Sequence, residues 1–234
     1  MIDWHSHVLP GIDDGSRNVA ESISMIQMLS SQGIKTVIAT PHFYANDESV
    51  ASFLERRETA VERLKAQLSA TAPEIRCGAE VRYYSGISHM EGLKSLRIEG
   101  SKLLLLEMPE TEWTEYTVRE LIELSGRSSF HVVLAHVERY MKFQKRAIWE
   151  ELRDCGILMQ SNASFFTSWR TKNKAISLLR SGSIQFVGSD GHNMTSRPPQ
   201  IGKAFEVIRK KLGDDYISQM SEYGYSMLTK TNIS

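Results

Sequence analysis

The sequence predicts a parallel α/β protein, a closed or nearly closed barrel of TIM type, with an open doubly wound sheet as the alternative. Three observations carry this expectation. Seven short apolar runs recur along 234 residues, each followed by sequence of helical character. The runs are apolar almost throughout, as strands covered on both faces are. The residues with chemistry collect at the C-terminal ends of the runs, which a parallel barrel gathers onto one face. Pattern alone leaves closure open.

Strands are expected near 2–7, 35–40, 75–80, 102–107, 130–136, 156–161 and 184–188. Between them, Val50, Leu54, Val61, Leu64 and Leu68 repeat at helical spacing, with the Glu/Arg-rich face of LERRETAVERL opposite. Val118, Leu121 and Ile122 behave similarly, as does the segment around Ile148 and Leu152. Ile176, Leu178 and Leu179 suit a short helix ended by Gly182. The Met/Ile stripe of a helix at 17–32 reads most simply as barrel core, with a subunit interface as the alternative. No repeat, low-complexity segment or Pro/Gly-rich linker divides the chain, so residues 1–234 read as one domain.

Lys+Arg and Asp+Glu both number 28, giving zero formal net charge. That balance argues against nucleic acid or anionic lipid as partners, and no basic stripe is visible. The most apolar runs, KLLLLEM and ILMQS, fall far short of a membrane span, so direct membrane insertion is not expected. No signal-peptide pattern opens the sequence. The two cysteines, Cys77 and Cys155, form no CxxC, and a reducing cytoplasm is the expected location.

The strand ends carry the functional signal. In order they offer His5-Ser6-His7, His42 in IATPH, Glu80 in CGAE, Glu107 in LLLLE and His136 in VVLAH. Asn162 in LMQSN and Asp190 with His192 in FVGSDGH complete the series. His5 and His7, two apart on a strand, face the same side. Asp190 and His192 repeat that spacing with a carboxylate. Imidazole plus carboxylate is the ligand set of Zn, Mn, Fe and related divalent ions. With Asp14 there are five histidines and four acids, too many for one ion and suited to a cluster of two to three with bridging carboxylates. Any one such residue is more often structural, but several unpaired carboxylates at apolar strand ends would be costly without a cation. Other polar residues fit less well. His89 lies in a loop-like stretch, His131 opens a strand at the wrong end, and Asp3 and Asp13 suit turn or capping roles. Asn162 is undecided between ligand and structural residue. Tyr83, Tyr84, Phe165, Phe166 and Trp169 could wall a pocket or pack in the core.

HSHVLPGIDDG, TPH, GAE, Glu107, AHVERY and GSDGHN follow one another in order over nearly the whole chain. Together they resemble the polymerase-and-histidinol-phosphatase (PHP) superfamily. LPGIDDG and AHxERY look most like its CpsB/CapC/YwqE-type bacterial protein-tyrosine phosphatases of capsule and exopolysaccharide loci. The resemblance implies a distorted (β/α)7 PHP barrel with a metal cluster, often manganese, with Fe, Zn or Mg as alternatives. It implies His5, His7, Glu80 and Asp190 as ligands of one metal. His42, Glu80, Glu107 and His136 would hold a second, with Glu80 bridging, and Asp14 and His192 fit a third site. Arg139 and Arg197 match the family's phosphate-contacting arginines; an ordinary surface salt bridge is the plain alternative for each. Val137 and Gly191 depart from the family's usual Pro and Ala, beside matched residues.

A cysteine-based tyrosine phosphatase needs a Cys-x5-Arg loop. Cys77 precedes Arg82 at Cys-x4-Arg spacing, and Cys155 has no nearby downstream arginine. A multi-metal site suggests instead in-line attack on phosphorus by a metal-bound hydroxide, with Arg139 and Arg197 on the equatorial oxygens. A phenol leaving group, pKa about 10, needs less protonation than an alkyl alcohol. A metal-bound water or His42 could assist it, and the general acid is left open. The expected function is thus a metal-dependent protein-tyrosine phosphatase, acting by the resemblance on the tyrosine-rich tail of a bacterial autokinase that controls polysaccharide export. A small-molecule phosphatase, for example for histidinol phosphate, and a non-catalytic metal-stabilised binding partner are the alternatives. The oligomeric state is left open.

Overall fold

The structure is a computed structural model that describes residues 1–229; the last residues of the expected domain, 230–234, lie outside the described residues. The strands are β1 (Ile2–Ser6), β2 (Thr36–Ala39), β3 (His42–Phe43), β4 (Glu74–Cys77), β5 (Glu80–Arg82), β6 (Leu103–Glu107), β7 (His131–Leu134), β8 (Leu158–Asn162) and β9 (Phe186–Gly188). All pairings are parallel, in the orders β1-β2-β4 and β3-β5-β6-β7-β8-β9. Seven expected runs become nine strands because the run at 75–80 breaks and a further strand, β3, follows just beyond the run at 35–40. Pro41, which has no N–H to give a ladder, separates β2 from β3, and Gly78-Ala79 separates β4 from β5. The sheet curls until its edges meet. Asp190 N donates to His5 O at 2.8 Å and His7 N to Gly191 O at 2.9 Å, bringing β1 beside the end of β9. The open doubly wound alternative does not hold.

Side-chain alternation divides the apolar residues into two layers. Leu103, Leu105, Val133, Ile38 and Phe186 face an inner cluster with Ile2 and Trp4. Their neighbours Leu104, Leu106, Val132, Leu134, Val37, Ala39 and Val187 face the helices. The helices are α1 (Val19–Ser31), α2 (Val50–Lys65), α3 (Glu115–Ser125), α4 (Arg146–Asp154), α5 (Ala163–Thr167), α6 (Lys172–Arg180), α7 (Gly202–Leu212) and α8 (Asp214–Thr229). Asn18, Ser49 and Thr114 cap α1, α2 and α3 with their side chains. Met25, Ile26 and Leu29 of α1 are buried in the outer layer, so its stripe is core. α5, α7 and α8 follow the sixth and seventh runs, where helical sequence is expected but no helical spacing is singled out. From α8, Met227 and Leu228 join the inner cluster and close the end of the barrel opposite the strand tips. Gly224 is required there: a Cβ would lie 2.9 Å from Trp4 Cζ2. No described helix is long and apolar enough to cross a membrane.

One irregularity prepares the site. Between Asp3 and Ser6 the register shifts, three residue steps on β1 matching two on β2 from Val37 to Ala39. An extra residue reverses which face the following side chains take. Ile2 and Trp4 therefore join the inner apolar cluster, while His5 and His7 reach the polar cluster at the strand tips.

Candidate metal centre

All nine expected ligands meet at the C-terminal face. Four overlapping sets have donor atoms within 4.8 Å of one another: His5/His7/Asp190, His5/Glu80/His136, His42/Glu80/Glu107 and His7/Asp14/His42/His192. Glu80 is the hub. Its Oε2 lies 3.1 Å from His5 Nε2, 3.3 Å from His7 Nε2 and 3.2 Å from His42 Nδ1, and its Oε1 lies 2.8 Å from His136 Nε2. Burial opposes ionisation of Glu80, but His5 and the hydrogen bonds from His136, His5 and His7 hold its pKa well below the ordinary value. Asp190 is also lowered, its burial outweighed chiefly by His5.

Outer partners fix which ring nitrogen faces inward. Gln160 Oε1 accepts from His5 Nδ1 at 3.2 Å and from the backbone N–H of His136 at 2.7 Å. His7 Nδ1 donates to Asp13 Oδ2 at 2.7 Å, and His192 Nδ1 to Asp190 O at 3.0 Å. For His5, His7 and His192 this leaves Nε2 facing the cluster, in position to ligate a metal, whereas His42 presents Nδ1 to Glu80. Tyr140 OH, which accepts from Met108 N, engages His136 Nδ1 at 2.9 Å. Gln160 Nε2 donates to Asn162 Oδ1 at 3.1 Å, and Asn162 Nδ2 to Asp190 Oδ2 at 2.8 Å. Asn162 is thus an orienting residue, one link from the cluster.

The donor set fits a cation. His5 Nε2 and His7 Nε2 approach to 3.1 Å, beside the ionised Glu80. Three buried side-chain polar atoms among the described residues lack a hydrogen-bond partner, and two are His42 Nδ1 and His192 Nε2. Burial, then the neighbouring His7, pushes His192 down to about 4, and burial likewise lowers His42; both imidazoles are neutral at pH 7. Burial also opposes a charge on His7, but Asp13 and Glu80 raise it to about 10. A cation at its Nε2 would replace that proton. Backbone strain marks the same place. Among described non-glycine residues only His136 (φ 30°) and Asp190 (φ 52°) have positive φ, and both are expected ligands.

The grouping differs in detail from the one the resemblance implies. His42 stands between Glu80 and Asp14, 3.5 Å from the latter, and so faces two sets. Asp14 is 63% exposed and approaches His192 Nε2 at 3.4 Å. Arg139 and Arg197 both arrive at the rim: Arg139 Nη2 is 2.6 Å, and Arg197 Nη2 3.0 Å, from Asp190 Oδ2. Neither is an isolated surface pair. Arg82 adds a third guanidinium, 2.8 Å from Glu107 Oε2.

Sequence reasoning missed the orienting residues. Asp13 does take the turn role expected of it, accepting from Gly15 N and His42 N at 2.9 Å, but it also holds His7. Asp3 is buried and accepts from Ser189 N and Oγ at 2.7 and 2.6 Å. Gln160, Tyr140 and Arg82 carried no signal beyond their positions near strand ends. His89 is exposed and His131 lies at the far end of β7, away from the cluster. Tyr83 is tied to Glu120 at 2.7 Å, Phe166 is core, and Trp169 is 76% exposed. Gly191 is explained by Pro199, whose Cβ would lie 2.6 Å from an added Cβ; Val137 is buried in the outer layer.

A profile of the capsular polysaccharide synthesis family CpsB/CapC matches residues 1–226. Tyrosine-protein phosphatase YwqE of Bacillus subtilis is 28% identical over 243 residues, covering 100% of this chain and 93% of that protein. Tyrosine-protein phosphatase CpsB of Streptococcus pneumoniae is 30% identical over 233 residues, 91% of each. A chain from the crystal structures of YwqE from Bacillus subtilis and CpsB from Streptococcus pneumoniae, described as unique metal-dependent tyrosine phosphatases, superposes with a TM-score of 0.84 at 26% identity. The match covers 100% of this chain and 96% of that one.

Proposed function

Because the chain belongs to the CpsB/CapC family of capsular polysaccharide synthesis, we propose that it is a metal-dependent protein-tyrosine phosphatase. The observation that carries this reading is the convergence of four imidazoles on the buried carboxylate of Glu80, with Arg139 and Arg197 on the rim. His5, His7, Glu80 and Asp190, then His42, Glu80, Glu107 and His136, and finally Asp14 with His192 would hold two to three divalent ions, manganese by preference. Such ions polarise a phosphoryl group and lower the pKa of water to about 7.

The chain's own residues do the rest. Arg139 and Arg197 donate to the equatorial phosphoryl oxygens and place phosphorus over the cluster. Gln160, Asp13 and Tyr140 keep the imidazoles oriented. His42, kept neutral by burial, lies on the open side between Glu80 and Asp14, where it can steady the departing phenol oxygen. Cys77 is no substitute nucleophile: it is buried, and burial pushes its thiol up to about 11.

The substrate we favour is a phosphotyrosyl protein segment, such as the tyrosine-rich tail of a bacterial autokinase, and the compartment is the cytoplasm, where both cysteines stay free. The whole chain, 1–234, is one phosphoesterase domain in this reading. The test compares phosphate release by manganese-loaded protein from a phosphotyrosine peptide and from histidinol phosphate, each with a chelated control. Chelator-sensitive preference for the peptide is expected. Preference for histidinol phosphate, or release from neither, overturns the reading.

A further inference from the structure

Tyr44 follows β3 directly, two residues after His42. Its ring stacks on the His42 ring, with centroids 5.3 Å apart and planes inclined by 26°. It is 39% exposed, whereas Phe43 beside it is fully buried against Phe53. No hydrogen bond among the described residues holds its hydroxyl. The neighbouring aromatics are committed elsewhere. Tyr140 is fully buried with its hydroxyl on His136, and Tyr83 is bonded to Glu120.

We propose that Tyr44 is the stacking platform for the substrate's aromatic ring, and that it sets a preference for aryl over alkyl phosphate esters. The inference rests on the phosphatase reading above. With phosphorus held by Arg139 and Arg197, the ester oxygen must leave through the open side, past His42 and the exposed Asp14. The ring carried on that oxygen then meets Tyr44. Aromatic rings pair with centroids about 4.5–7 Å apart, a spacing the outer face of Tyr44 can offer. His42 supports the other face, so little side-chain freedom is lost when a ring docks. A phosphoserine or other alkyl ester presents no flat face and gains nothing from the platform.

Ring stacking of this kind is worth roughly three- to tenfold in affinity. The experiment titrates manganese-loaded protein with phenylphosphonate and with methylphosphonate, for the wild type, Tyr44→Ala and Tyr44→Phe. The phenyl-to-methyl affinity ratio should fall roughly three- to tenfold in Tyr44→Ala and be retained in Tyr44→Phe. In turnover, Tyr44→Ala should raise KM for a phosphotyrosine peptide more than it lowers kcat. An unchanged ratio overturns the proposal. Equal losses for both ligands also overturn it, since they would make Tyr44 only a support for His42. If the wild type releases no phosphate from the peptide, the phosphatase reading fails, while the ligand ratio still decides whether Tyr44 stacks.

Discussion

The Asp13 carboxylate holds His7 Nδ1 at 2.7 Å and, through the same oxygen, the backbone N–H of His42 at 2.9 Å. One side chain therefore orients an imidazole that faces Glu80 and anchors the strand that delivers another. The pair polarises both members. Burial opposes both charges, yet their mutual contact brings Asp13 down to about 2 and, with Glu80, His7 up to about 10. Removing an outer-shell partner of a metal-ligating histidine costs roughly 10- to 100-fold in metal affinity. Asp13→Asn should therefore weaken manganese binding by about that factor. Metal titration of the purified variant measures it, and wild-type affinity would show that Asp13 is only a turn residue.

Arg139 lies 2.6 Å from Asp190 Oδ2 and 3.9 Å from Glu107 Oε1, with its side chain 32% exposed. It reaches from the rim toward the cluster without belonging to the donor set. If it stabilises charge developing on the phosphoryl oxygens, Arg139→Ala should lower kcat by about 100- to 1000-fold. Metal content, read by elemental analysis of the dialysed protein, should stay at the wild-type level. A variant with full turnover would remove Arg139 from the site, and one that has lost its metal would make it a scaffold for Asp190.

Much of this arrangement is legible in the sequence, because parallel topology alone sends every strand end to one face. That is why His5, Glu80, His136 and Asp190, far apart in the chain, could be grouped from their positions after apolar runs. Other features depend on neighbours across strands, which no local pattern encodes. Gln160 reads as an ordinary strand residue until β8 is set beside β7 and its oxygen meets both His136 N and His5 Nδ1. The bulge that sends His5 and His7 to the cluster is a mismatch between β1 and β2, visible only in their pairing. Pro41 and Gly78 do mark the strand breaks locally, but apolar continuity on either side hides them. The closure by α8 follows from Trp4 meeting Gly224, a contact between the two ends of the chain.

Gly188 stands at the end of β9, directly against β1. A Cβ there would lie 2.6 Å from His5 Cβ, 2.8 Å from Gln160 Nε2 and 2.9 Å from His5 N. None of these is the free end of a flexible chain, since Gln160 is held by His5, His136 and Asn162. Gly188→Ala must push β1 away or dislodge Gln160. Overpacking of this kind costs about 1–3 kcal/mol. At this chain length each 1 kcal/mol lowers Tm by about 2–4 °C, so a clear fall is expected in a thermal melt. Metal affinity should fall with it, because His5 would lose its orientation. A variant with wild-type Tm and metal binding would mean that the β1–β9 contact is looser than these distances imply.

The two cysteines should behave oppositely, and neither should matter to turnover. Cys155 is exposed, while Cys77 is buried behind α2, where burial pushes its thiol from an ordinary 9.0 up to about 11. A folded-state pKa raised in this way favours the protonated thiol. The stability it contributes is complete below pH 9 and is lost as pH rises through about 11. Iodoacetamide at pH 8 should therefore alkylate Cys155 and spare Cys77, which should react only on unfolding or in strong alkali. Peptide mapping by mass spectrometry distinguishes the two sites. Phosphate release from a phosphotyrosine peptide should survive this alkylation and vanish on chelation. Loss of activity in step with modification of Cys77 in the folded protein would reverse the assignment and make the thiol, rather than the histidine–carboxylate cluster, the centre of the chemistry.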